Sequence, residues 1–479
     1  MKRLLVIVWL LAALPSFGAT YYVNPTGSGS TCSSGTPCSL TTGVTNATSP
    51  GDIVYLQDGT YNSSITVPAS GSAGGGYISY LAVNDGAAIV DGQDVRVPFT
   101  LDTKSYINVE GINFRYSSGS VVTVHTADHI NFKRCSAYRT ADGNYSAFSF
   151  WVVTTGLIED CVAGGRYRVA YLVLDSSYVT LRRNFTRFTE GVTYTSVGNG
   201  TEIYGSSNCL VENNFFIKNT GYAAKTFEGI FVWSADYSAA ANNNDIYGNV
   251  IISADHTAYE VGSALKHLAG NHFKDNVSIS SSECFRHAAD GTLLVENLTC
   301  ATASVSHYKM LSYYEFYTFE AGFQIAGTLR NSSFRTSGTG LYWLTADTEF
   351  AGLTHTYNNY YGLGADFGGN STDDPTEYCA ANTNAIDPAY NTATYGNGAY
   401  LLVPAALQGQ GASGANVGAK VIYRYVDGTL TGTQLWPWPM EARILSEIGL
   451  SVTDMIWTTL NGVYPAGGSA LKHSTLLLW

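Results

Sequence analysis

Val179-Thr180-Leu181-Arg182-Arg183-Asn184-Phe185 recurs as Leu210-Val211-Glu212-Asn213-Asn214-Phe215, as Phe273-Lys274-Asp275-Asn276-Val277 and as Leu294-Val295-Glu296-Asn297-Leu298. Each copy has alternating apolar residues, a polar pair, an amide or small residue, then an aromatic or β-branched one. Taking the amide position as a marker gives Ile112, Cys135, Cys161, Asn184, Asn214, Asn249, Asn276, Asn297, Ser332 and Asn359, spaced 21 to 35 residues apart. Alternation within a segment signals a strand, whereas a helix would show apolar residues three and four apart. Short strands returning at this period predict an all-β solenoid, a parallel β-helix. A repeating Asn suits a bend, because it tolerates unusual backbone angles and its amide can bond to the next coil.

Composition agrees with turn-dense β structure: 479 residues with 50 Gly, 34 Tyr and only 13% charged residues. Residues 1–18 read as a secretory signal, with Lys2 and Arg3, an apolar run from Leu4 to Leu14, then Pro15 and small residues. That run is too short to span a membrane, and no later one is long enough. The expectation is a secreted protein, extracellular or periplasmic, without a transmembrane segment. A solenoid with capped ends gives no reason to expect anything but a monomer. The formal charge of −12 argues against nucleic acid as a partner.

Eight cysteines suit an oxidising compartment. Cys32 and Cys38 bracket a tight loop and are the first candidates for a disulfide. Cys284 and Cys300 could pair across one coil, and Cys135 and Cys161 share a phase, so they either bond or stack.

Tyr21-Tyr22-Val23-Asn24-Pro25, Pro50-Gly51-Asp52-Ile53-Val54-Tyr55-Leu56 and Asp58-Gly59-Thr60-Tyr61 open the domain. Here the chain resembles secreted right-handed parallel β-helix proteins of the pectate-lyase-like superfamily, over about residues 20 to 425. The resemblance implies a right-handed parallel β-helix over 19–425 with a tail, 426–479, of short C-terminal capping helices. The first of these spans Pro439 to Gly449 and a second begins near Thr453. Coils are expected to about residue 363, followed by a loop excursion from Ala365 to Asn397.

Registering the coils on the marker sorts the charges. Two positions before it stand Glu110, Lys133, Glu159, Arg182 and Glu212, alternating in sign. Stacked about 4.8 Å apart they form cross-strand ion pairs, so Lys133-Arg134 and Arg182-Arg183 read as structural and not as a basic substrate patch.

Candidate chemistry concentrates between Lys225 and Glu320, where His256, His267, His272, His287 and His307 lie among aromatic-rich loops. Counting back from the markers makes Lys266 and Arg286 neighbours on consecutive coils, facing outward because Leu265 and Phe285 would point in. Tyr204 and Trp233 extend that face, Tyr237 follows, and Glu228, Glu260 and His287 lie nearby. A Lys beside a fixed cation suits β-elimination from an acidic polysaccharide: the base takes the proton next to a uronate carboxylate, and a cation offsets the charge that builds there. Lys266, His267, Asn271, Asn276, Arg286 and His287 resemble the Lys-Ser, Asn, Asn, Arg-His-Gly pattern of chondroitinase-B-like and alginate-lyase-like enzymes, with His267 in place of Ser and Ala288 in place of Gly. The resemblance implies Lys266 as base, Arg286 as acid or charge stabiliser, His287 beside them, and Glu228 and Glu260 as calcium ligands. Tyr204, Trp233 and Tyr237 would bind the polysaccharide.

Other activities of the fold lack their motifs here: the paired Asp and Gly-His-Gly of polygalacturonases, the Asp-Pro-His-Asp of mannuronan epimerases, and the Asp-His and Arg-Pro patterns of classical pectate lyases. Two alternatives stay open. One is an inverting hydrolase using two carboxylates from Glu228, Asp236, Asp255 and Glu260. The other is a non-catalytic glycan-binding or adhesive solenoid.

Overall fold

The computed structural model describes residues 18–139, 143–188, 197–218, 226–234, 238–310, 325–335, 339–343, 352–363, 365–369, 386–392, 396–436 and 438–447, with the backbone alone at 188, 197, 226, 264–267, 290, 307, 309–310, 325, 339–343, 352–353, 365–369, 396, 445 and 447. The chain forms the expected right-handed parallel β-helix. Each coil contributes a strand to three faces. One coil, for example, supplies Ser146–Val153 to a front sheet, Gly156–Glu159 to a ladder sheet and Val162–Gly165 to a back sheet. Corresponding strands of successive coils pair in parallel, as in Glu159 opposite Arg182 and Leu174 opposite Tyr204.

The core is filled by stacks of like residues. Phe148 lies on Tyr171 at 5.4 Å and Phe285 on Tyr308 at 5.1 Å, all fully buried. At the bends between ladder and back sheets, Asn184 Nδ2 donates to Asn214 Oδ1 (3.0 Å), Asn214 Nδ2 to Asn249 Oδ1 (3.0 Å) and Asn249 Nδ2 to Asn276 Oδ1 (3.1 Å). The residue before each of these takes a positive φ, at Arg183, Asn213, Gly248 and Asp275. The same φ occurs at Asn297 and Tyr357, so the bend markers of those coils are Leu298 and Asn358, one residue off the expected Asn297 and Asn359. Asn is favoured at both positions of the bend, once for its backbone and once for its amide, and the two uses look alike in sequence.

The charge stack forms as expected and continues further. In register along the ladder sheet lie Glu110, Lys133, Glu159, Arg182 and Glu212, then Tyr247, Lys274, Glu296 and Arg330. Arg182 bridges Glu159 at 3.1 Å and Glu212 at 3.3 Å, and Arg330 meets Glu296 at 2.7 Å.

Cys32–Cys38 and Cys284–Cys300 are disulfide-bonded. Cys135 and Cys161 stack without bonding, the Cys135 N–H donating to Cys161 Sγ at 3.4 Å. Helix Leu40–Asn46, capped by the Ser39 hydroxyl, packs Leu40 and Val44 onto the first coil. That N-terminal cover had no counterpart in the sequence reading.

The C-terminal part departs from the expected cap. Ala365–Gly369 is a strand that pairs with Thr339–Trp343, so the coils continue into the expected loop. From residue 386 the chain turns back along the flank. It lays Tyr400, Leu401, Ile422, Trp436 and Trp438 over Val162, Phe185, Phe215, Val250 and Val277, the outward apolar residues of the back sheet. A hairpin of Tyr423–Val426 and Thr429–Gln434 docks on the ladder sheet, where the Glu212 carboxylate accepts from the backbone N–H groups of Asp427 and Gly428 at 3.0 Å each. Helix Glu441–Glu447 forms where a helix was expected, but on the side of the early coils, with Arg443 donating to the Arg134 carbonyl and to Asn113 Oδ1. This segment is therefore a strap along the solenoid, because the back sheet's apolar outer row needs covering over its whole length. The second expected helix lies outside the described residues.

Candidate functional site

The front sheet carries the longest strands, among them Val197–Tyr204, Thr226–Ser234, Thr257–His267 and Glu283–Glu296. Near their starts the inside-outside alternation breaks. Ala258 with Tyr259, and Cys284 with Phe285, are consecutive residues that all join the core. At the equivalent Gly200 and Gly229 a Cβ would come within 2.6 Å of Phe216 and 2.2 Å of Ile251, so no side chain fits. Two inward residues in succession bring the preceding position, Glu228 or Glu283, to the same side as the outward row of Glu202, Phe231, Glu260 and Arg286.

That local irregularity assembles an ionic cluster. Arg286 donates from Nε and Nη2 to Glu283 Oε2 (2.9 and 2.6 Å), from Nη1 to Glu260 Oε2 (3.1 Å) and from Nη2 to His256 Nε2 (2.9 Å). His256 Nδ1 then meets Glu228 Oε1 at 2.6 Å, which makes it the protonated nitrogen of the ring. Among the described residues four of the five guanidinium hydrogens are engaged, and one on Nη1 is left over. Burial works against the charge of Arg286, but Glu260, Glu283 and Glu228 outweigh it and raise its pKa, so it stays cationic at every working pH.

Glu202 lies beside this cluster. Its side chain is 3% exposed, with Arg168 Nη2 3.6 Å from Oε1 and no hydrogen-bond partner for Oε2 among the described residues. Burial, and after it the charge of Glu228, push its pKa up, with Arg168 acting against them. Asn199, in register with Glu228, also buries an unpartnered Oδ1. The ligand atoms of Glu228, His256 and Glu260 lie within 4.8 Å of one another, a spacing that suits a divalent cation. The two carboxylates and the Asn199 amide oxygen are hard donors of the kind calcium takes, whereas both nitrogens of the imidazole are already engaged by Glu228 and Arg286.

The residues expected from sequence divide. Glu228, Glu260 and Arg286 come together, and Tyr204 and Trp233 are register partners on the same face. Trp233 stacks on Phe231 at 5.2 Å and lies over Gly262, where a Cβ would sit 2.5 Å from the indole. Lys266 is not the register neighbour of Arg286, which pairs with Glu260 and Lys309. It sits in a bulge between Gly262 and His267, opposite Ala288 to Asp290, because the front strand gains residues as it bends into the ladder sheet.

His287 points inward. It is 1% exposed, bonded through Nδ1 to the Tyr308 hydroxyl at 3.1 Å, and burial lowers its pKa to about 3. The alternation that turns Arg286 out turns His287 in, which removes it from the outer face. Tyr237 and Asp236 lie outside the described residues. Asn271 and Asn276 belong to bends, Asn271 bonding Asn244 and Asn276 bonding Asn249. His256, Glu283, Glu202, Asn199 and Arg168 were not singled out as site residues by sequence. The available signal was the Gly200 and Gly229 pair at one coil phase, which marks the corner that turns them outward.

No family model matches the chain, and no curated protein matches it. Among solved structures, it is similar to pectate lyase Pel9A, at 14% identity and a TM-score of 0.46 over 80% of this chain and 85% of that one. It is similar also to a mannuronic acid specific polysaccharide family 6 lyase from human gut microbiota, at 14% identity and 0.39 over 75% and 83%. A third is the catalytic domain of a GH87 alpha-1,3-glucanase, at 10% identity and 0.40 over 70% and 64%. At these identities the likeness is one of fold alone.

Proposed function

We propose that the protein is a polysaccharide lyase that cleaves a uronate-containing chain by β-elimination on the front sheet. The observation that carries this reading is the Arg286 guanidinium, fixed at the outer face by Glu260, Glu283 and His256 with one Nη1 hydrogen left over. Elimination requires the charge of the uronate carboxylate to be offset while the neighbouring carbon loses its proton. A guanidinium held this strongly cationic is suited to that role and unsuited to giving up a proton, so of the two roles open to it Arg286 takes charge stabilisation. Lys266, in the bulge further along the neighbouring strand, is the base in this scheme.

Glu228 and Glu260, with Asn199, are the residues that would hold calcium. The ion, when bound, supplies further positive charge for the substrate carboxylate. Without such a cation the described cluster has four carboxylates, Glu202, Glu228, Glu260 and Glu283, against Arg168 and Arg286. An acidic substrate therefore gains from a divalent ion here.

Glu202 favours a second reading. A buried carboxyl with a raised pKa beside a second acidic side chain is the pairing a glycoside hydrolase uses, with Glu202 as general acid and Glu228 as base. Incubation with alginate, polygalacturonate and chondroitin sulfate decides between them. A lyase generates unsaturated uronate that absorbs in the ultraviolet, abolished by Lys266→Ala and by chelation. Reducing ends without that absorbance would replace the lyase by the hydrolase. Binding without any product would leave an adhesive solenoid.

A further inference from the structure

We propose that the substrate chain runs along the solenoid axis from the Arg286 cluster towards the N-terminal coils, and that Trp151 is its distal binding platform. This rests on the site described above and specifies the substrate as a polymer rather than a short oligosaccharide. The outward row of the front sheet reads, in register, His125, Trp151, Leu174, Tyr204 and Trp233. Coils stack about 4.8 Å apart, so Trp151 lies about 14 Å from the Trp233 position and about 24 Å from the coil of Arg286.

Trp151 is 47% exposed, an unusual placement for the largest apolar side chain, while Leu174 and Tyr204 are half-buried. Its ring is steadied edge-on by His125 at 4.8 Å, and His125 is held by Asp102 at 2.9 Å. That hydrogen-bonded pair closes the apolar row at its N-terminal end. The row is continuous with the ionic cluster at its other end, because Trp233 lies over Gly262 beside Glu260. Sugar rings present C–H faces that pack on aromatic and aliphatic side chains, and a row repeating once per coil offers a contact to several successive units. The charged unit to be cleaved would lie at Arg286, with the units on one side of it over Tyr204, Leu174 and Trp151.

The test is affinity electrophoresis of the full chain through gels containing alginate, polygalacturonate or chondroitin sulfate, which reads binding independently of turnover. Trp151→Ala should weaken retention at least fivefold on the polymer that retains the wild type, Trp151→Phe should restore most of it, and Tyr178→Ala, exposed outside the row, should change nothing. Cleavage of a trisaccharide from the same polymer should be unaffected by Trp151→Ala. If polymer is bound and Trp151→Ala is retained like wild type, the track is wrong while the lyase reading stands. If binding depends on Trp151 but no product forms, the track stands and the lyase reading fails. Retention on none of the polymers, or a dimer in sedimentation that Trp151→Ala dissolves, overturns the track.

Discussion

Arg286 and His355 are both buried ionisable residues, one surrounded by partners among the described residues and one not. Arg286 sits between Glu260 and Glu283 with its side chain 10% exposed, so deleting it takes the guanidinium charge from two buried carboxylates. Arg286→Ala should cost about 3–5 kcal/mol in urea denaturation. The triple variant Arg286→Met, Glu260→Gln, Glu283→Gln should recover much of that stability and none of the activity. Equal stability of the single and triple variants would show that the cluster is not held by its charges.

His355 is 2% exposed, its Nδ1 has no partner among the described residues, and burial lowers its pKa to about 4. Below the ordinary value of 6.5 the unfolded chain takes up a proton that the native imidazole refuses until about pH 4. Stability is therefore lost as pH falls through that window. His287 adds to the loss in the same direction, down to about pH 3. His355→Leu should be neutral or stabilising at pH 7.5, with a larger relative gain at pH 5. Parallel urea midpoints for the two proteins at both values would refute the assignment.

At the level of strands, what the sequence made legible and what it hid have one origin, the two-residue period. A strand shifted by one residue exchanges its faces. Alternation placed Phe285 inside and Arg286 outside, and by the same rule His287 is inside. It could not place Glu228 and Glu283, because both precede a corner where two successive residues face the core. The register between Lys266 and Arg286 failed for a related reason, since a bulge breaks the one-to-one count that the markers assume. The bends themselves were readable because their amides repeat. Asn214 accepts from the backbone N–H and Nδ2 of Asn184 and donates to Leu181 O and Asn249 Oδ1. Asn214→Ala leaves two buried donors of Asn184 bare and should cost on the order of 3 kcal/mol. Its denaturation midpoint should fall accordingly, whereas a loss under 1 kcal/mol would mean the coils are held by their core stacks alone.

Over the whole molecule the three faces have separate tasks: the front sheet carries the ionic cluster, the ladder sheet the alternating charges, and the back sheet is the surface on which the C-terminal strap is laid. The need for a strap is written in the repeat, where the residue after the amide is Phe185, Phe215, Val250 or Val277. These side chains point away from the core, and left bare they would form one continuous apolar stripe. Trp436 is fully buried over that stripe, with its Nε1 donating to Val421 O at 2.9 Å and its ring meeting Phe215 edge-on at 6.0 Å. Trp436→Ala should cost about 3–5 kcal/mol. Because the cavity opens on the back sheet, the loss should appear as hydrophobic-dye binding and as faster proteolysis within residues 396–447, with the coils intact by circular dichroism. The front sheet is on another face of the solenoid, so the affinity for polymer in the gel assay should not change. A variant that unfolded as a whole at the same midpoint would make strap and solenoid one cooperative unit. One that lost polymer binding while remaining folded would show that the strap sets the geometry of the front sheet.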